Sequence, residues 1–98
     1  MKLLENLSLK NLLARIEKEF NKITNGNYGS VISIIAPCFL EPKEIYGAFT
    51  QELTVLLGLY DEETGAPYSQ EWSLFWNCEC GRFDVMQPNS ERNYVENK

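Results

Sequence analysis

A chain of 98 residues is the size of one ordinary domain, and 44% apolar with 23% charged residues is the composition of a folded globular protein, which excludes disorder for most of its length. It contains no histidine, which removes the commonest general base, the usual catalytic triads and most catalytic zinc sites in one step. The net charge of −5 is uneven, with five Lys or Arg against three acids in residues 1–40 but four against eleven in 41–98. Such a field repels nucleic acid and anionic lipid and favours a basic partner protein.

In chain order, the opening Met1-Lys2-Leu3-Leu4 runs at once into Glu5 and Asn6 rather than into a signal-peptide core. No apolar run approaches the roughly 18 residues that a membrane span needs. The expectation is a cytoplasmic protein with no membrane contact, and three cysteines fit a reducing compartment better than a disulfide framework. Ser8 then reads as a helix N-cap, with Leu7 and Leu12 as a hydrophobic staple around it. Leu9, Leu12, Leu13, Ile16, Phe20 and Ile23 recur at three- and four-residue steps, which predicts one helix over about 8–24 with an apolar stripe facing a core. Arg15 and Glu19 are spaced to pair at i,i+4. Asn25 or Gly26 supplies the left-handed residue of a C-cap.

The β-branched run Val31 to Ile35 is almost continuously apolar, the pattern of a strand covered on both faces near the middle of a sheet. Pro37 lacks the N–H that a ladder needs and ends it. Pro42 with Glu41 and Glu44 resembles a helix start, and Ile45, Tyr46, Phe49, Leu53, Leu56 and Leu57 form a second apolar stripe at helical spacing. That predicts a second helix to about residue 57. Residues 53–60 also suit a strand that pairs antiparallel with 71–80 across the loop Asp61-Glu62-Glu63-Thr64-Gly65-Ala66-Pro67.

The strongest strand signal is Trp72 to Cys80, where Trp72, Leu74, Trp76, Cys78 and Cys80 alternate with the polar Ser73, Asn77 and Glu79. Both tryptophans lie on its apolar face, so the core is expected against it. Phe75 alone breaks the polar face, which marks either a second covered face or an interface. Gly81 marks a bulge or sharp turn, after which Arg82 to Met86 alternates as a short strand. The fold expected is α+β, two helices packed on one face of a small sheet of three or four strands, forming a single domain over 1–86 with a polar, mobile tail over 87–98.

Three chemistries can be weighed. Cys78-Glu79-Cys80 with Cys38 could offer thiolates to zinc, but the one-residue gap is a poor match to paired zinc ligands and no nitrogen ligand exists, so no metal and no cofactor are expected. Asp61, Glu62, Glu63, Glu71, Glu79 and Asp84 could supply a carboxylate acid and base, the route of a small carboxylate enzyme. The same loop beside Tyr60 and Tyr68 suits a binding surface better, through charge-assisted hydrogen bonds and aromatic anchors. Tyr60, Asp61, Glu62, Glu63, Tyr68, Glu71 and Phe75 are therefore the expected partner-binding residues, with no catalytic residue. The reading is a non-enzymatic acidic inhibitor of a basic protein, such as a nuclease or other nucleic-acid-handling protein, of the toxin-immunity, antitoxin or phage anti-defence type. The alternative is a homodimeric adaptor or chaperone-like protein.

Overall fold

The computed structural model describes residues 1–24, 28–35, 41–45 and 47–95. It begins with a 3₁₀ turn over Leu4–Asn6, followed by helix α1, Leu9–Thr24. The strands are β1 (Tyr28–Ile34), β2 (Lys43–Ile45), β3 (Ala48–Tyr60), β4 (Pro67–Asn77), β5 (Arg82–Pro88) and β6 (Asn93–Tyr94). All six belong to one antiparallel sheet, in which β1, β3, β4 and β5 are neighbours in that order; β2 pairs the start of β3 and β6 pairs the start of β4.

This corrects the expected fold: among the described residues one α-helix lies on a six-stranded sheet, not two helices on three or four strands. The segment assigned to a second helix is β2 and β3, and β3 pairs β4 along its length, with Leu57 opposite Gln70 and Leu53 opposite Leu74. The reason lies in the spacing itself. Positions 45, 49, 53 and 57 are four apart, and steps of four return to one face of a strand as well as of a helix. Burial follows the shorter period, because Gln51, Leu53, Val55, Leu57 and Leu59 are buried while the residues between them are partly exposed. The β-branched Val55 and Thr54 also suit a strand better than a helix interior.

α1 forms where the sequence predicts it. The Ser8 hydroxyl accepts the Asn11 N–H at 3.2 Å, and the Ser8 carbonyl accepts the Leu12 N–H at 2.9 Å. Leu12, Ile16 and Phe20 are buried, but Leu9 and Ile23 are 63% and 53% exposed, so the buried stripe is the middle of the expected one. Arg15 does not pair with Glu19; its guanidinium lies 5.5 Å from the Trp76 ring centre and donates to the Gly81 carbonyl at 2.8 Å. Glu19 approaches Lys22 instead, at 3.9 Å.

The core fills the space between α1 and one face of the sheet. Phe20 meets Trp72 edge-on with ring centres 5.0 Å apart and stacks on Tyr28 at 5.8 Å, while Trp76 meets Phe83 edge-on at 4.9 Å. The chain's start is fastened to the same layer. Trp76 Nε1 donates to the Lys2 carbonyl at 2.7 Å, and the Leu4 N–H donates to the Gln51 side-chain oxygen at 2.8 Å, which buries Leu4 completely. Among the described residues no buried side-chain nitrogen or oxygen lacks a partner.

Two further expectations change. β1 is an edge strand rather than a central one, and Ile32 in it is 53% exposed. Two register shifts, between Tyr28 and Ser30 and between Val31 and Ser33, turn every third residue inward, so that Tyr28, Val31 and Ile34 face the helix. β4 ends at Asn77, so Cys78 and Cys80 lie in a turn; Cys78 is buried with its thiol pushed up by burial, and Cys80 is exposed. The segment beyond Gln87 supplies the end of β5 and all of β6. Expectations for Asn25, Gly26, Pro37, Cys38 and Tyr46 fall outside the described residues. Within the described residues no helix is long and apolar enough to cross a membrane.

Candidate functional site

Strand alternation gives the sheet two unlike faces. α1 covers one, and no helix among the described residues lies on the other. Pairing lays out this uncovered face in rows. Glu52 of β3 stands opposite Phe75 of β4, which stands opposite Val85 of β5; the next row is Thr54, Ser73 and Gln87; the next is Ser33, Leu56 and Glu71. Ile32 lies over Gly58, in the following row with Ser30 and Ser69, where an added Cβ would stand 3.6 Å from its Cδ1. Phe75 and Leu56 are partly exposed, whereas Val85 and Ile32 are 43% and 53% exposed. The face is therefore a set of apolar side chains separated by hydroxyls and two carboxylates.

Neither Glu52 nor Glu71 has an ion-pair partner among the described residues. The cations near this face stand at one end of it. Lys43 is opposite Thr50, and Arg82 is tied to Asp84 at 2.9 Å. The Asn77 amide donates to the other Asp84 oxygen at 2.8 Å, and this bond, more than Arg82, holds the Asp84 carboxyl below its ordinary range.

The β3–β4 hairpin builds a second feature. Asp61 Oδ1 accepts the backbone N–H of Glu63 at 2.9 Å and of Thr64 at 3.0 Å, fixing the turn, while Gly65 takes a φ of +74°. Asp61 Oδ2 accepts the Tyr94 hydroxyl at 2.7 Å. Arg92 grips Glu62 with both terminal nitrogens at 3.3 and 3.4 Å, reaches Asp61 at 3.4 Å, and lies 4.4 Å from the centre of the Tyr68 ring. The Tyr94 hydroxyl, the turn's N–H groups and Arg92 together hold Asp61 down at about 2. Glu62 is also lowered, by its own backbone N–H first and Arg92 second, and burial pushes the Tyr68 hydroxyl up.

The expected binding residues thus separate into two groups. Tyr60, Asp61, Glu62, Glu63 and Tyr68 gather at the hairpin end, while Glu71 and Phe75 lie on the uncovered face. Within the first group Tyr68 is buried beneath Arg92, and Asp61 is committed to its own turn and to Tyr94. Glu63 is exposed with no ion-pair partner among the described residues, and Tyr60 is 46% exposed. Sequence reading missed Arg92 and Tyr94, which lie some thirty residues from the acids they hold. It also missed Glu52, Leu56, Ile32 and Val85. The period-two burial of 51–59 is the signal that would have placed Glu52 beside Phe75.

No three Cys, Asp or Glu side chains gather as a metal site among the described residues. Asp61 and Glu62, which share Arg92, are both pushed down, whereas an acid and base pair requires values driven apart. No family model, curated protein or solved structure matches this chain.

Proposed function

We propose that the chain is a non-enzymatic binding protein whose uncovered sheet face docks on a basic partner protein and occludes its functional surface. The observation that carries this reading is the row Glu52, Phe75, Val85 on a face that no described helix covers. An aromatic anchor flanked by unpaired carboxylates suits a partner whose apolar contact is ringed by Lys or Arg. Glu63 and Tyr60 at the hairpin end extend the acidic margin. A basic surface of this kind is what a nuclease or other nucleic-acid-handling protein presents to phosphates, so an immunity protein, antitoxin or anti-defence protein fits the chemistry.

The test is capture from the native cell by the immobilised parent and two variants, Phe75→Ser and the triple Glu52→Gln, Glu63→Gln, Glu71→Gln. Expected is one protein of isoelectric point above about 9, retained by the parent, released by added salt and lost from both variants. Equal retention by all three, or a dimer in sedimentation that Phe75→Ser dissociates, overturns the reading in favour of a homodimeric adaptor.

A further inference from the structure

The opposite end of β4 carries a feature that the acidic face does not use. A cleft of about 290 Å³ opens between α1 and the β4–β5 turn, lined by Arg15, Lys18, Glu19, Trp76, Arg82 and Phe83. Its lining carries three cations, Arg15, Lys18 and Arg82, against one carboxylate, Glu19, in a chain whose net charge is −5; Lys22 pairs with Glu19 at 3.9 Å and Asp84 with Arg82 at 2.9 Å. The turn fixes this arrangement. Asn77 Oδ1 accepts the N–H of Glu79 and of Cys80 at 2.9 and 3.0 Å, Gly81 takes a φ of +74°, and its carbonyl holds Arg15 over Trp76.

The cations keep unused donors. Arg15 has no carboxylate partner, and Lys18 has neither an ion pair nor a hydrogen bond among the described residues. Arg82 gives only its Nε to Asp84. Like charges gathered in excess of acids repel one another, and an anion seated between them relieves that repulsion.

We infer that this cleft binds a phosphate dianion, free or as the monoester of a small molecule. The surplus of two positive charges matches a dianion rather than a single carboxylate. Two guanidinium forks and an ammonium supply the donor geometry that phosphate oxygens accept. Trp76 and Phe83, which also line the cleft, offer an ester substituent an apolar contact.

The test is an NMR titration of the full chain with inorganic phosphate, phenyl phosphate and acetate at matched ionic strength. The indole N–H of Trp76 is the reporter and that of Trp72 the internal reference. Expected is a saturable shift of the Trp76 signal with either phosphate and none with acetate. Tighter binding of phenyl phosphate marks an ester as the ligand, and equal binding marks free phosphate. The double variant Lys18→Gln, Arg82→Gln should weaken phosphate roughly five- to tenfold, the effect of two partly screened charges. Lys10→Gln, Lys43→Gln, with the same change in net charge outside the cleft, should leave binding unchanged. An acetate response equal to that of phosphate, no saturation, or equal loss in both double variants overturns the assignment.

Discussion

β3 and β4 contribute to both faces of the sheet with the same backbone, yet the two faces hold different chemistry. Toward α1 they present Leu53, Val55, Leu57, Leu59, Leu74 and Trp76, each no more than 3% exposed. Away from it they present Glu52, Thr54, Leu56, Ser73 and Phe75. Folding free energy is concentrated on the first face, since apolar surface removed from water is the main favourable contribution to folding. The second face contributes strand pairing and retains apolar groups that a partner can still bury. A sheet covered by α1 on one face separates in this way the residues that hold it together from those free to bind.

The largest test of that separation is Trp76→Ala. Trp76 is 2% exposed, packs on Phe83 and donates to the Lys2 carbonyl, so its loss removes a core ring and releases the chain's start. The expected cost is about 3–5 kcal/mol, a large fraction of the stability of a domain this size. Chemical denaturation measures it. A loss below about 1 kcal/mol would mean that the helix-covered face is not where stability resides.

Phe75→Ala, one residue away on the other face, should behave differently. Phe75 is partly exposed and flanked by Glu52 and Val85, so truncation should cost about 1 kcal/mol or less, lowering Tm by roughly 4–8 °C at most. The same substitution should abolish partner retention. A destabilisation as large as that of Trp76→Ala would show that Phe75 belongs to the core, and the contrast between the faces would fail.

How much of this was legible in the sequence depended on whether a pattern fits one period or two. Ser8 and the mixed three- and four-residue steps of Leu9, Leu12, Leu13, Ile16, Phe20 and Ile23 fit a helix and not a strand, and Trp72, Leu74 and Trp76 recur at the period of a strand. Between 45 and 57 the apolar residues fit both periods, and a Pro with acids at the start favoured the wrong one. β1 was misplaced because its apolar run suggests two covered faces, whereas its two register shifts, invisible in the sequence, rotate Ile32 to the uncovered side. The acidic loop and Phe75 are legible as candidates from charge and from the break in alternation. That Arg92 and Tyr94 close over the loop depends on long-range pairing of β6 with β4, which local spacing does not encode.

The smallest effect expected is also the most specific, because the hairpin clasp seals the end of the covered face over Tyr68 and leaves the uncovered face alone. Asp61 is held at about 2, below its ordinary 3.8. A carboxyl lowered in this way contributes stability that is fully present above the ordinary value and is lost as pH falls through the lowered one. The clasp should therefore hold above pH 4 and loosen between about 4 and 2, as protonation of Asp61 weakens its bonds to the Tyr94 hydroxyl, the Thr64 and Glu63 N–H groups and Arg92. Carboxyl ¹³C NMR should place the Asp61 midpoint near 2, with the ring signals of Tyr68 and Tyr94 moving along the same curve and those of Phe75 unmoved. In Asp61→Asn the two tyrosine signals should lose this pH dependence. Titration of Asp61 at its ordinary value would show that the clasp does not form in solution, and Asp61 and Glu62 would then join Glu63 as carboxylates free to meet a partner.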